Sequence, residues 1–411
     1  MKYSVYTVLI LSFFYFSCQK NDPEIAGVDE LSAITYSEKI YTQPVNINNQ
    51  IISVINDGTS TFLNAYDQNG LRVWSSNIDG YIIPDLSFDD LSFLELQKNS
   101  QGEVLLNMYH VDRDEETLKS VKFTNYGIYH SEFTDYIHQT DTIIHQTDTI
   151  DLQGDSEFTA NGIVALSDGT TAVISYWKPN LPDTTFIQMS LYSTSGYHIA
   201  ERYFILNETV DIDYVYISSS NSLILESYNE ADDTKFYIIN TQSNAIFVSP
   251  VLPIFDLYSF YENSNGHFIF TASTFNASLD YLGLVISISS QGNYLWHKTY
   301  FNNSAWMFMS TTETTDGYLF TGFDTKNILV ENFDWRTTFN TENVKAVVLK
   351  TDFQGNFENN IGWSSTLQTG ESTVGAAVLN NENLTFFGGK YDRSIHNTII
   401  LKLNQDGTVI N

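Results

Sequence analysis

A tight turn followed by a short strand recurs along nearly the whole chain. Its seven copies are centred on Gly70, Gly127, Gly196, Asn244, Gly292, Gly355 and Gly407. An earlier tight turn lies upstream of each copy, at Asn49, Gly102, Gly169, Asn221, Gly266, Gly317 and Asn383. Gly and Asn are the residues that most readily adopt the positive φ angles of such turns. Each copy therefore predicts four short strands, a to d, with tight a–b and c–d turns and a looser b–c loop.

Four-strand units that repeat about every 45 residues are typical of β-propeller blades. The sequence therefore predicts an all-β chain in which residues 31–411 form a single β-propeller of about seven four-stranded blades, the spacing allowing six to eight. The last unit ends at Thr408 to Asn411 with a short d strand. Because an open sheet edge invites aggregation, we expect an N-terminal strand at Leu31 to Tyr36 to pair with the last blade and close the ring.

The N-terminus has the pattern of a secretion signal. Lys2 precedes an apolar run from Val5 to Phe16, which is followed by Ser17 and Cys18. The run has ~12 residues, whereas a helix that spans a bilayer needs ~20. The segment resembles the signal of bacterial lipoproteins, although Tyr15 stands where that family usually has Leu. The resemblance implies that residues 1–17 are a cleaved lipoprotein signal peptide and that Cys18 carries the lipid.

Residues 18–30 are predicted to form a polar tether. The segment from Gln19 to Glu24 is similar to the export signal of Bacteroidetes-type surface lipoproteins. This similarity implies a lipid anchor in the outer membrane with the protein facing the exterior. An ordinary solvated tether would have the same composition. Cys18 is the single cysteine of the chain, so no internal disulfide can form.

The chain is strongly acidic, with 49 Asp and Glu against 19 Lys and Arg and a net charge of -30. Such a surface repels nucleic acid and anionic lipid headgroups. We therefore expect no nucleic-acid partner, and we expect membrane attachment through the N-terminal lipid. A hydrophobic content of 42% is enough for a packed core. The acidity is interpreted as a solvating coat or, alternatively, as a means of capturing cations or cationic substrates.

A tryptophan follows the turn glycine by four residues in two units, Gly70 to Trp74 and Gly292 to Trp296. This spacing resembles the quinoprotein-like propeller repeat. That family includes quinone-cofactor dehydrogenases and non-catalytic outer-membrane lipoproteins. The Ala-x-Asp element and the Thr-Gly pair of the strict repeat are absent, so the resemblance implies the fold and no cofactor is expected.

Long connections are predicted on one face of the ring, where the b–c and d–a loops lie. They are Asp79 to Asp90, Asp135 to Asn161, Lys178 to Thr184 and Thr325 to Asn343. We call this the elaborated face and the opposite one the plain face. Because function in rigid scaffolds usually lies on such loops, the elaborated face is the candidate for ligand or partner contact.

The six tryptophans fall into two groups according to their position in the predicted units. Trp74, Trp296 and Trp363 fall in predicted d strands and are interpreted as packing residues. Trp177, Trp306 and Trp335 fall at or beside loops of the elaborated face. Exposed there, they could stack on sugar rings or anchor a protein partner, and they are the candidate ligand-binding residues.

A tandem heptad places His138, Asp141, His145 and Asp148 in one short segment. Imidazole and carboxylate groups can hold a transition metal, so these four residues are weak metal candidates. The alternative interpretation is a duplicated Thr- and Ile-rich hairpin. The Asp211-Ile-Asp213 pair and similar acidic clusters lack the spacing of a calcium loop.

Recognisable catalytic motifs are absent from the sequence, including the serine-hydrolase elbow, the zinc-protease helix and the phosphate-binding loops. The leading hypothesis is a non-catalytic binding module on the cell surface that contacts a glycan or an outer-membrane protein. The alternative is an extracellular hydrolase or lyase acting on polysaccharide. Paired carboxylates at the central channel would favour the alternative, and aromatic platforms without acids would favour the binding module.

Overall fold

The protein is all-β in the computed structural model. The structure describes residues 34–36, 39–40, 42, 44–67, 69–82, 93–98, 102–112, 115–137, 142–145, 148–151, 158–178, 183–193, 197–229, 233–254, 256–275, 281–300, 306–324, 345–357, 363–367, 373–380, 383–392 and 395–404. The one helical element in these ranges is a single 3₁₀ turn at Asp79–Tyr81. A membrane-spanning helix is not found within them.

The strands are short and follow one another closely. In chain order they are β1 Ile34–Tyr36, β2 Lys39–Ile40, β3 Val45–Ile47, β4 Gln50–Asn56, β5 Thr61–Tyr66, β6 Arg72–Asn77, β7 Phe93–Lys98, β8 Val104–Asp112, β9 Glu115–Phe123, β10 Tyr129–Ile137, β11 Thr142–His145, β12 Asp148–Asp151, β13 Phe158–Ala165, β14 Thr171–Trp177, β15 Thr185–Tyr192, β16 His198–Leu206, β17 Asp211–Ile217, β18 Ser222–Tyr228, β19 Thr234–Asn240, β20 Ile246–Val248, β21 Leu257–Glu262, β22 Phe268–Phe275, β23 Tyr281–Ile288, β24 Tyr294–Tyr300, β25 Trp306–Glu313, β26 Tyr318–Asp324, β27 Lys345–Thr351, β28 Trp363–Leu367, β29 Thr373–Asn380, β30 Asn383–Asp392 and β31 Ile395–Asn404.

The strands assemble into the antiparallel sheets of a β-propeller. Six sheets each use consecutive strands: β2-β4-β5-β6 with β3 also on β4, β7 to β10, β13 to β16, β17 to β20, β21 to β24 and β25 to β28. A further sheet combines β29, β30 and β31 with β1. The prediction that seven successive units each supply four strands is therefore corrected, because six do so in the described ranges. The predicted d strand at Thr408 to Asn411 lies outside those ranges.

The N-terminal strand β1 lies on the edge of the sheet that ends the chain. Its three residues pair with β31 in the register Ile34 to Ile400, Thr35 to Ile399 and Tyr36 to Thr398. The predicted pairing of an N-terminal strand with the last blade is confirmed. This pairing covers an edge that would otherwise expose unpaired backbone groups.

We expect loss of β1 to destabilise the ring. Removing residues 19–36 should lower the melting temperature by about 5 °C, because an edge of β31 then loses its partner. Removing residues 19–30, which precede β1, is the control and should change it little. Calorimetry of both truncations would test this, and equal melting temperatures would show that β1 does not stabilise the ring.

Most of the predicted turn glycines and asparagines in the described ranges have the expected backbone conformation, whereas Gly317 and Asn383 do not have a positive φ. Positive φ angles are found at Asn49, Gly70, Gly102, Gly127, Gly169, Asn221, Asn244, Gly266, Gly292 and Gly355. In the c–d turns a polar side chain at the first position caps the turn. The Asp67 carboxylate accepts hydrogen bonds from the backbone N–H groups of Asn69 and Leu71. Asp352 does the same for Gln354 and Asn356.

The first strand of each unit lies innermost and the last lies outermost. First strands of adjacent sheets contact one another: β13 contacts β17, and β21 contacts β25. Residues of the last strands are largely exposed, as in β6 and β24. The hydrophobic core lies between neighbouring sheets as a series of clusters, each of which contains residues of two adjacent sheets. The innermost strands therefore surround the central channel.

Two of the predicted packing tryptophans bind neighbouring units together. Trp74 belongs to one core cluster and lies beneath Gly127 of the next c–d turn. Its indole N–H donates to the Asn125 carbonyl oxygen at 3.1 Å. Trp296 packs in the same way beneath Gly355. The packing interpretation is confirmed for Trp74 and Trp296.

Long connections lie mostly on the predicted face. The d–a connections 78–92 and 138–157 and the b–c connections 178–184 and 325–344 are the long ones between described strands. The plain face is less uniform than expected, because the c–d connection from β27 to β28 covers 352–362. The distinction between the two faces otherwise agrees with the strand boundaries.

Candidate functional site

A β-bulge interrupts the innermost strand in four successive units, β13, β17, β21 and β25. In β17 the pairs on either side of the bulge are Ile212 with Ser227 and Val215 with Leu225. Asp213 and Tyr214 therefore both stand opposite the single residue Glu226 of β18. A bulge redirects side chains locally and is common beside functional sites. Here it brings an aspartate and a tyrosine next to a glutamate.

Three carboxyl groups come together at this bulge. Asp213 and Glu226 belong to the β17–β20 sheet, and Asp256 precedes β21 of the adjacent sheet. The Asp256 carbonyl oxygen accepts a hydrogen bond of 2.8 Å from the Ser273 N–H, which fixes this residue to β22. All three lie at the end of their strands where the b–c and d–a connections run. We call Asp213, Glu226 and Asp256 the acidic cluster, and it lies on the elaborated face.

Burial and mutual repulsion shift the pKa values of the acidic cluster upward. Burial raises the pKa of Glu226 well above its ordinary value, and the charges of Asp213 and Asp256 add to this. The pKa of Asp256 is raised by burial and then by the charge of Asp213. Burial alone raises the pKa of Asp213. The charge of Asp213 thus opposes ionisation of Glu226 and Asp256.

The three carboxyl groups differ in access to solvent. Glu226 is only 5% exposed, and its Oε2 atom has no hydrogen-bond partner. Asp213 is exposed, although surrounding protein desolvates it enough to raise its pKa. The acidic cluster thus combines an accessible carboxyl group with a buried one.

Tyrosines border the acidic cluster. Tyr214 is 38% exposed. Burial, followed by the charges of the three carboxylates, raises its pKa to about 12, so its phenol stays neutral and can donate a hydrogen bond. Tyr228, also partly exposed, ends β18 at the same end of the sheet. Exposed tyrosine rings of this kind can stack on sugars.

Two of the candidate tryptophans are buried. Trp177 is 1% exposed and stacks on Phe186 with ring centroids 5.3 Å apart. Trp306 is 3% exposed and contacts Phe308 edge to face. The expectation that these two present exposed stacking surfaces is corrected, because the ends of β14 and β25 fold them into the protein. Trp335 lies outside the described residues.

The tandem heptad forms a hairpin where the structure describes it. Strands β11 and β12 pair with His145 opposite Asp148, which agrees with the duplicated-hairpin interpretation. His138 and Asp141, like Cys18, lie outside the described residues. Across the described ranges, no group of three or more His, Cys, Asp or Glu residues is arranged to hold a metal ion.

The acidic cluster was not recognised from the sequence. Asp213 appeared there only as part of an acidic pair, and Glu226 and Asp256 were not singled out. One signal was present: Glu226 lies within Ser222 to Ser227, a run that is buried throughout. A charged residue in such a strand is rare unless it has a partner or a function.

Glu226 should make the stability of the protein depend on pH. Its pKa is higher in the folded protein than its ordinary value of 4.5, so its contribution is present at low pH and is lost as pH rises through the folded pKa. Glu226→Gln cannot ionise, and we expect it to melt at a higher temperature than wild type at neutral pH and at a similar one near pH 4.5.

Glu313→Gln is the matched control for Glu226→Gln. Its carboxylate accepts hydrogen bonds of 2.7 Å from the Ser264 N–H and hydroxyl of the adjacent sheet. Glu313→Gln should therefore lose about 1 kcal/mol of unfolding free energy. Melting curves of both variants between pH 4 and pH 8 would check the contrast. If Glu226→Gln were less stable than wild type at every pH, Glu226 would be a structural residue.

Comparisons with known proteins give the fold. No protein-family model matches the chain, and no curated protein matches its sequence. Solved structures resemble it at low identity. A prolyl endopeptidase is 11% identical with a TM-score of 0.50, covering 91% of this chain and 48% of its own, so the chain spans about half its length. The polysaccharide lyase Uly1 is 10% identical with a TM-score of 0.49, covering 89% and 90%.

A phage phi92 endosialidase is 7% identical with a TM-score of 0.44, covering 90% of this chain and 69% of its own. At such identities the likeness concerns the fold, and one fold hosts many activities. The function must therefore be argued from the side chains of this chain.

Proposed function

We propose that the protein cleaves glycosidic bonds of a polysaccharide at the acidic cluster. The observation that supports this most is a pair of neighbouring carboxyl groups in different environments, the exposed Asp213 and the half-buried Asp256, at the end of the strands on the elaborated face. Glycoside hydrolysis uses two carboxyl groups, one ionised and one protonated. The exposed-tryptophan argument for a non-catalytic binding module is weakened, because Trp177 and Trp306 are buried.

Access to solvent assigns the roles. Asp213 is exposed, so it acts as the base that takes a proton from water, or as the nucleophile. Asp256 keeps its proton longer because of the Asp213 charge. It gives that proton to the leaving glycosidic oxygen as the bond to the sugar carbon breaks. Glu226 is buried opposite Asp213 in the strand pairing and acts as a positioning residue.

A screen for cleavage tests the proposal. The purified full-length protein would be incubated with neutral, amino-sugar and uronic-acid polysaccharides, and new reducing ends would be measured. We expect new reducing ends with at least one of them, and none with the double variant Asp213→Asn, Asp256→Asn. Absence of cleavage across the panel would overturn the proposal. Unsaturated products, seen by ultraviolet absorbance, would indicate a lyase instead.

The place of action is proposed from the N-terminal sequence. Removal of residues 1–17 and lipidation of Cys18 would hold the protein on the exterior of an outer membrane, where polysaccharide is available. Labelled palmitate should enter the wild-type protein and not Cys18→Ser, and protease added to intact cells should digest the wild-type protein. Equal labelling of both forms would contradict the anchor.

A further inference from the structure

The acidic cluster lacks a balancing positive charge in the described part of the chain. The lysines on adjacent strands are paired elsewhere, Lys178 with Asp211 and Lys235 with Glu208. Glu226 is enclosed by protein and its Oε2 atom has no hydrogen-bond partner. A buried oxygen without a donor costs free energy unless something binds it. The free protein therefore holds a site that a donor would stabilise.

The groups around Glu226 define which donor suits the site. On β17, Asp213 and Tyr214 stand opposite it. On β19 its cross-strand neighbour is the apolar Phe236, and Asp256 approaches from the adjacent sheet. A hydroxyl group would supply one hydrogen bond and leave the repulsion in place. A cation would supply hydrogen bonds and balance the charge.

We propose that the sugar bound at the acidic cluster carries a protonated amine, so that the substrate class is an amino-sugar polysaccharide. This inference rests on the proposed function and specifies its substrate. An ammonium group has three donors, so it can bind the accessible Asp213 carboxylate and balance the charge of the buried Glu226 beside it. A uronic acid would bring a further negative charge to the same place. The net charge of -30 also attracts a polycationic glycan over longer distances.

Binding of the amine should release protons. The positive charge favours the ionised form of Glu226 and so lowers a pKa that is raised in the free protein. The heat of binding will therefore depend on the ionisation enthalpy of the buffer. A ligand bound through hydroxyl groups alone would show no such dependence.

Titration calorimetry with monosaccharides tests the inference without any cleavage. Glucosamine at about pH 6, where the amine is protonated, would be compared with the uncharged N-acetylglucosamine and with galacturonate. We expect the full-length protein to bind glucosamine at least about tenfold more tightly than N-acetylglucosamine, with proton release. Glu226→Gln should reduce this preference, and Glu313→Gln on the plain face should retain it.

The outcomes separate the two proposals. A glucosamine preference without cleavage of any polysaccharide would support the amine site and reject the catalytic function. Equal binding of the monosaccharides, or tighter binding of galacturonate, would overturn the amine site even if polysaccharide were cleaved. Displacement of glucosamine by equimolar Ca²⁺ would also overturn it, because the cluster would then be a metal site.

Discussion

Asp213→Asn is expected to lower kcat by about 10³-fold or more on the cleaved polysaccharide, because an amide can neither accept a proton nor attack the sugar carbon. Asp256→Asn should lower kcat by about 10²- to 10⁴-fold, because the leaving oxygen then receives no proton. An aryl glycoside with an activated leaving group needs no acid. Activity on it should be recovered in Asp256→Asn and not in Asp213→Asn.

The pH profile gives a second readout. The charge of Asp213 helps to raise the pKa of Asp256, so its removal should move the alkaline limb of any residual activity to lower pH. Asp316→Asn is the control, because Asp316 pairs with Lys350 on the plain face and should keep wild-type kcat. Recovery of Asp213→Asn with the activated glycoside would reverse the two roles. Wild-type kcat in both variants would remove the cluster from catalysis.

Gly283→Ala is expected to lower the free energy of unfolding by about 3 kcal/mol or more. Gly283 lies in β23, and a Cβ atom there would be 1.7 Å from the carbonyl oxygen of Trp306 and 3.5 Å from Phe308. Both of these residues belong to β25 of the adjacent sheet. The added methyl group can be accommodated only if the two sheets separate, which would expose the core between them.

Gly80→Ala is the matched control. No atom lies within 4 Å of a Cβ at Gly80 and its φ is not positive, so its stability should be close to wild type. Denaturant titration of the three proteins would measure the difference. If Gly283→Ala kept the midpoint of wild type, the contact between β23 and β25 would be loose in solution. If it failed to fold while Gly80→Ala folded, the expected direction would still hold.

Much of the fold was predictable because its determinants are local. Positive φ at Gly70 or Asn221 needs a residue that tolerates it, and that requirement is visible in the sequence. Alternation of strand and turn then defines the units. The N-terminal strand was predictable from a general requirement, since a sheet edge must be covered. The strand composition of the last sheet was harder to predict, because β1 comes from the start of the chain and β29, β30 and β31 come from its end.

The acidic cluster could not be predicted in the same way. Its existence depends on the bulge that sets Asp213 and Tyr214 opposite Glu226, and no residue type marks a bulge. It also depends on Asp256, which reaches the site only because the next sheet packs alongside. The exposure of the candidate tryptophans was wrongly predicted for a related reason. Trp177 and Trp306 lie at strand ends near long loops, and whether an end faces solvent or protein is decided by packing.

The pairing of β1 with β31 has a consequence for how the protein is made. β1 is synthesised near the start and β31 near the end, so their contact joins the most distant strands of the chain. Contacts of such separation form late in folding. During synthesis the early sheets can form as they emerge, while β1 remains unpaired. A chain that stops before β31 cannot pair β1, and the edge of its first strands stays open. Ring closure is therefore expected only after β31 has been synthesised.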